Sequence, residues 1–101
     1  MTAKPTPIGV TGADDGGALL AVDLLRELGT DPRRIHNEEQ AAYIRQRGGL
    51  IIRVWRTGVP TPQGLALPDV WVEHDARADD LKAALERVLK QHREGFHATA
   101  Q

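Results

Sequence analysis

The sequence predicts a small α/β domain with a short, mainly parallel sheet of three strands and three helices, packed in two or three layers. Apolar, β-rich runs alternate with segments of helical periodicity in the order β-α-α-β-β-α. Helices separate the first two strands, as a parallel connection requires. A chain of 101 residues has room for one modest core, so a single domain is expected.

The first strand is predicted at residues 8–11, followed by a turn-rich run and a helix at residues 18–28. Apolar residues cover most of the circumference of this helix, which predicts that it is largely buried. Gly29 is expected to end it, because glycine adopts the left-handed conformation without strain.

The second helix is predicted to begin at Asn37, whose side chain can cap the first turn, with Gln40 placed to complete a capping box. Gly48 and Gly49 are expected to end it. The β-rich run at residues 50–55 follows, with alternate side chains on opposite faces of the sheet.

Prolines and glycines make residues 57–68 a loop, and a third short strand is predicted at residues 70–72. A last helix is expected to run from a cap at Asp75 to about His92. Its apolar stripe consists of Leu81, Leu85, Val88 and Leu89. We expect one domain at residues 8–92, with flexible ends at residues 1–7 and 93–101.

The composition argues against several classes of protein. Thirteen basic and fourteen acidic residues give a net charge of −1, so nucleic acid is an unlikely partner. Without cysteine or serine, thiolate metal sites and serine nucleophiles are excluded, and no histidine spacing predicts a metal ion or an acid–base pair. No apolar run is long enough for a signal peptide or a membrane span. We therefore expect a cytoplasmic protein that has no membrane contact, no cofactor and no metal.

The turn after the first strand has the glycine spacing of a phosphate-binding loop, G-x-x-x-x-G-K-[ST], at Gly12 and Gly17. The next two positions are Ala18 and Leu19, so the lysine that neutralises phosphate and the hydroxyl that holds magnesium are both absent. The loop also contains Asp14 and Asp15, whose charges would repel a triphosphate. No kinase activity is expected, and the simpler alternative is a plain polar turn.

Downstream, the chain carries R-I-H-N-E at residues 34–38 and, after the second helix, G-G-L-I-I-R-V at residues 48–54. This resembles the segment D-x-R-F-P-N-E, helix, G-G-x-x-I-R-V of phage and bacterial deoxynucleoside monophosphate kinases. Shorter likenesses follow at residues 64–65, 69–72 and 74–75, so that the resemblance covers roughly residues 8–92. Arg34, Asn37, Glu38, Gly48, Gly49 and Arg53 match the pattern.

The resemblance implies half of a P-loop kinase fold, because the chain has about half the family's length. The substrate-binding middle and the strand before the D-x-R motif are expected to be missing. In the family's parallel sheet the first, fourth and fifth strands are neighbours, and those three are the ones predicted to remain. The outer edge of the first strand would then be uncovered, and strand addition there through Ile8 and Val10 could form a homodimer or a partner seam.

Arg53, Trp55, Arg56 and Trp71 form a second candidate partner surface on the predicted sheet. Tryptophan and arginine are enriched at interface hot spots. The alternative is that both indoles fill the core. Pro60 and Pro62 make the intervening loop a third candidate, since prolines limit the entropy lost on binding, and the alternative there is a plain connector.

These features together predict a binding or inhibitory protein on a degenerate kinase scaffold. Because the family that it resembles is common in phages, we expect a phage or prophage origin and a host protein as target. An anti-defence factor such as an anti-CRISPR is one example. The alternatives are a regulatory domain that still binds nucleotide and a purely structural dimer.

Overall fold

The computed structural model describes residues 5–13, 17–74 and 77–99, and within these ranges the chain forms four strands and three helices. The strands are β1 (Pro7–Thr11), β2 (Asp31–Arg34), β3 (Leu50–Trp55) and β4 (Val70–Glu73). The helices are α1 (Ala18–Glu27), α2 (Glu38–Gln46) and α3 (Ala78–Thr99). The strands make one sheet in the order β2-β1-β3-β4, and every pairing is parallel. The predicted α/β class is confirmed.

Strand β2 is the element that the sequence analysis missed. Its residues, Asp31-Pro32-Arg33-Arg34, include a proline and three charged side chains, which are types depleted in strands or neutral there. The segment is extended because it pairs with β1, with the Asp31 amide donating to Thr6 at 2.9 Å and the Ile35 amide to Val10 at 3.0 Å. Tertiary pairing therefore overrides the local preference of these residues.

This pairing contradicts the predicted open edge of the first strand. Strand β1 lies between β2 and β3, so its hydrogen-bonding groups are occupied on both sides. Ile8 and Val10 are fully buried, and the proposed seam through them is wrong. In the described sheet the edges are β2 and β4. The amides of residues 31 and 35 point toward β1, so the backbone nitrogen of residue 32 points away from β1. As Pro32 has no N–H, it offers a new strand no donor.

The two faces of the sheet have different covers. Leu50, Ile52 and Val54 of β3 face α1 and α3 in the larger core, where the predicted α3 stripe is buried with them. Ile51 faces α2 on the other side, in a smaller cluster with Ile35, Ala41, Ile44 and Ala66. The predicted alternation of side chains along β3 is confirmed. The molecule therefore has three layers, with α1 and α3 on one face and α2 on the other.

The helix boundaries follow their capping residues. At the start of α2, Asn37 Oδ1 accepts from the Gln40 amide at 2.9 Å, and the Gln40 side chain accepts from the Asn37 amide at 3.4 Å, as predicted. Gly29, which follows the C-cap Leu28 of α1, has φ of +87°. Helix α3 runs to Thr99, so its predicted end near His92 is wrong. Gly95 lies within this stretch, and an internal glycine lowers helix stability by only about 1 kcal/mol relative to alanine. The predicted cap at Asp75 lies outside the described residues.

Residues 56–69 connect β3 to the parallel strand β4 without a helix, and they cross the face that α2 covers. Three polar side chains hold the end of this crossover loop. Glu38 accepts from the Leu67 amide, Arg45 Nη2 donates to the Leu67 carbonyl at 2.7 Å, and Asp69 Oδ2 accepts from the Ile51 amide at 2.9 Å. Helix α2 therefore fixes where the loop rejoins the sheet. In the part of the chain described, no helix is long and apolar enough to cross a bilayer.

Candidate functional site

The carboxyl ends of all the described strands meet at one edge of the sheet, because every pairing is parallel. The chain leaves β1 for β2 on one side and then crosses to β3 on the other, so the strand order reverses between β1 and β3. In open α/β sheets, ligands bind in the crevice at such a switch point. The switch point of this sheet contains Thr11, Gly12 and Arg53.

Gly12 and Gly17, the two glycines that have the spacing of a phosphate-binding loop, have φ of +129° and +103°. A Cβ at residue 12 would overlap the carbonyl oxygen of Val54, and one at residue 17 would lie 2.8 Å from Cδ2 of His74. Close packing therefore requires glycine at both positions, whether or not a phosphate binds. Residues 14–16, which include Asp14 and Asp15, lie outside the described part of the chain.

The two positions that follow the glycines differ in exposure. Ala18 is fully buried, whereas the side chain of Leu19 is 52% exposed. Neither side chain can hydrogen-bond to phosphate or coordinate magnesium. The lysine and the hydroxyl of the phosphate-loop pattern are therefore absent from these two positions of the sequence.

Arg34, one of the residues that match the kinase pattern, binds the backbone at the end of β1. Its Nη1 donates to the Val10 carbonyl at 3.0 Å and its Nη2 to the Gly12 carbonyl at 3.1 Å. These bonds tie the turn after β1 to the neighbouring strand β2. The guanidinium therefore helps to fix the shape of the switch point.

Arg53 and Trp71 are brought together as the sequence analysis expected. They are register partners on β3 and β4, and Cζ of Arg53 lies 4.9 Å from the centroid of the indole ring. Arg53 is buried, while Trp71 is 58% exposed. This exposure contradicts the alternative in which Trp71 fills the core. Trp55 is half-buried, so it contributes partly to packing, and Arg56 is exposed.

The guanidinium of Arg53 has few partners. Its Nη2 donates to the Ala66 carbonyl, and its Nε has no hydrogen-bond partner among the described residues. No ion pair joins Arg53 to a carboxylate within the described ranges. Thr11, its register partner on β1, is fully buried with Oγ1 likewise unpaired.

Several side chains that are exposed or lack a hydrogen-bond partner among the described residues were not predicted from the sequence. Leu67 on the crossover loop is 70% exposed, and Tyr43 on α2 is 50% exposed with Cζ of Arg47 3.8 Å from its ring centroid. The i, i+4 spacing of Tyr43 and Arg47 was a usable signal for that pair. Nothing local marks Thr11, since its unpaired hydroxyl depends on the neighbouring strand. Pro60 and Pro62 are exposed on the loop, as a contact role requires.

Within the described residues, no three histidine, aspartate or glutamate side chains are grouped closely enough to hold a metal ion. A cavity of about 410 Å³ lies between β2 and α2, and its lining includes Arg33, Arg34 and Tyr43. Comparisons with protein-family profiles, curated proteins and solved structures found no match.

Proposed function

We propose that this protein acts by binding another protein, as a non-catalytic, inhibitory module on a degenerate nucleotide-kinase scaffold. The observation that carries the proposal is the Arg53–Trp71 pair, in which an exposed indole is stacked on a buried guanidinium. A large aromatic side chain that stays in solvent adds little to the stability of the free protein. Its exposure is useful when a partner covers it.

The surroundings of the pair support an interface. Tryptophan and arginine are the residue types most enriched at interface hot spots, and a guanidinium that is already stacked loses little freedom on binding. The crossover loop connects β3 to β4, the two strands that carry Arg53 and Trp71. It contains Leu67, which is 70% exposed, and the exposed Pro60 and Pro62. Fixed proline dihedrals reduce the entropy that such a loop loses in a complex.

The kinase-like scaffold is part of the proposal. The order β1-β3-β4 keeps as neighbours the three strands matched to the first, fourth and fifth strands of the kinase sheet. Since that family is common in phages, we infer a phage or prophage origin and a host protein as target, for example a component of antiviral defence such as a CRISPR effector. Inhibition then comes from covering a surface of the target.

The test compares the wild-type protein with Trp71→Ala in affinity capture from bacterial lysate, read by quantitative mass spectrometry. Tyr43→Ala is the matched control, because Tyr43 is a similarly exposed aromatic residue on a different element. We expect a protein that wild type and Tyr43→Ala retain and Trp71→Ala loses.

With the purified partner, Trp71→Ala should weaken binding by about 2 kcal/mol or more, as a hot-spot residue does. The partner's own activity should fall in proportion to its occupancy by the wild-type protein. If no captured protein distinguishes Trp71→Ala from the control, the proposal is wrong.

A second candidate is a regulatory domain that still binds nucleotide. It is favoured by the start of α1, where the N-cap is Gly17, a residue with no side chain to cap the first turn. The amides at such a helix start can bind an anion. Calorimetry with deoxynucleoside mono- and triphosphates, with and without magnesium, tests it directly. Magnesium-dependent binding in the micromolar range would favour this candidate over an inhibitor that acts through surfaces alone.

A further inference from the structure

Thr11 and Arg53 place two unsatisfied polar groups side by side in the interior. They are register partners on β1 and β3, so their side chains leave the sheet on the same face. Thr11 is fully buried and Arg53 is 8% exposed. Thr11 Oγ1 and Arg53 Nε both lack a hydrogen-bond partner in the described part of the chain.

Such a pair is costly to the free protein. A buried donor without an acceptor loses its hydration without compensation, and a buried cation without a counter-charge loses more. Within the described ranges, the guanidinium has one neutral acceptor, the Ala66 carbonyl, and the indole of Trp71. An anion at this point would satisfy the Nε–H, the hydroxyl and the positive charge together.

We propose that Thr11 and Arg53 bind one carboxylate group, supplied by an aspartate or glutamate side chain of the protein partner. One guanidinium and one hydroxyl match the single charge and the two oxygens of a carboxylate. A phosphoryl group carries a charge near −2 and three acceptor oxygens, so it needs more donors than this pair offers. The guanidinium of Arg34, on the other side of β1, already donates to two backbone carbonyls. Only the source of the carboxylate rests on the proposed function.

The position of Trp71 fits this ligand. Strand β4 is an edge of the described sheet, and its exposed indole lies over the Arg53 guanidinium. A carboxylate that reaches Arg53 beside the ring brings the partner's surface against the indole. The ion pair is then shielded from water by an aromatic side chain, which is the arrangement in which charged contacts contribute most to affinity.

The experiment uses the free, full-length protein labelled with ¹⁵N, and follows the Nε–H resonance of Arg53. Sodium acetate is titrated in one series, inorganic phosphate in a second, and sodium chloride in a third at matched ionic strength. We expect a saturable shift of the Arg53 resonance with acetate, a weaker response to phosphate, and no saturable shift with chloride.

Three variants test whether acetate binds at Thr11 and Arg53. Thr11→Val keeps the shape of the side chain and removes the hydroxyl, so acetate should bind about tenfold more weakly, as expected for a lost hydrogen bond to a charged group. Arg53→Gln lacks the Nε–H that is followed in the other proteins, so acetate binding is read there from the backbone amides of residues 11 and 53, which should show no saturable shift. Arg26→Gln is the matched control, because it removes the same charge from an exposed position on α1, and it should bind acetate like the wild type.

A second arm separates this inference from the proposed function. With the captured partner, Arg53→Gln should weaken binding at least as strongly as Thr11→Val, and Arg26→Gln much less. Absence of a saturable acetate shift, or tighter binding of phosphate than of acetate, overturns the carboxylate site even if Trp71 still binds a partner. Acetate binding at Arg53 with unchanged partner affinity in Arg53→Gln and Thr11→Val overturns the partner as the source.

Discussion

The imidazole of His74 packs against Gly17, so closely that a Cβ at residue 17 would lie 2.8 Å from Cδ2 and 2.9 Å from Cβ of His74. This contact joins the start of α1 to the end of β4. The contact explains, without any ligand, why residue 17 is a glycine. A glycine spacing that resembles a phosphate loop is therefore compatible with a protein that binds no phosphate.

Gly17→Ala should destabilise the protein by about 2–3 kcal/mol, because it combines an unfavourable backbone conformation with a steric overlap. Gly29→Ala is the control, since Gly29 also has a positive φ of +87° but nothing lies within 4 Å of its Cβ position. That variant should lose only about 1 kcal/mol. Urea unfolding measures both. Equal losses would mean that the His74 contact is not what requires glycine.

Trp71→Ala should change the free energy of unfolding by about 1 kcal/mol or less, because the indole is mostly in solvent and its described ring contact is a single cation–π pair. Trp55→Ala should cost about 2 kcal/mol or more, since Trp55 is half-buried. Far-UV circular dichroism during urea unfolding reports both without using tryptophan fluorescence. A large loss in Trp71→Ala would show that the indole is part of the core after all.

Arg53→Met should leave the protein as stable as the wild type or more stable. The change leaves the Ala66 carbonyl without its donor, but it also removes a buried charge that has no counter-charge among the described residues, and the second effect offsets the first. Partner binding should nevertheless be lost, which is the trade-off expected of a functional residue. Chemical unfolding of Arg53→Met and of the exposed control Arg56→Met measures the first effect. A loss of more than about 2 kcal/mol specific to Arg53→Met would indicate a structural role for the guanidinium.

Asp69→Ala should cost about 1–3 kcal/mol, because it leaves the Ile51 amide without its acceptor and removes one partner of Arg45, whose Nη2 lies 3.1 Å from Asp69 Oδ1. Asp69→Asn keeps an acceptor oxygen for Ile51 and should lose less. Limited proteolysis should also cut residues 56–69 faster in Asp69→Ala, since the end of the crossover loop is then held less firmly. Equal stability of the two variants would contradict this account of the loop.

The sequence was sufficient for the elements whose signals are local. The capping box at Asn37 and Gln40 set the start of α2, and the apolar stripe of α3 predicted which face is buried. The alternation along β3 correctly predicted that Ile52 and Arg53 lie on opposite faces of the sheet. These features depend on residues a few positions apart, so they can be recognised in a single chain.

Strand β2, which was not predicted, shows the limit of reasoning from local signals. Residues 31–34 have little intrinsic tendency to be extended, and they become β2 because β1 offers an edge to pair with. Because of this one pairing, β1 lies in the interior of the sheet and not at its edge, where it was predicted. The pairing also removed the predicted seam at Ile8 and Val10, so an error in one short element changed the functional hypothesis.

By itself, the sequence determined the α/β class, the presence of three helices, the buried faces and the absence of a lysine and a hydroxyl side chain at positions 18 and 19. Only the tertiary structure decided the strand order and the exposure of Trp71. It also decided that Thr11 and Arg53 lie side by side with unsatisfied polar atoms. The physical reason is distance along the chain. Periodicity and capping act within a few residues, whereas burial and hydrogen-bond satisfaction at these positions depend on strands about 20 to 40 residues away.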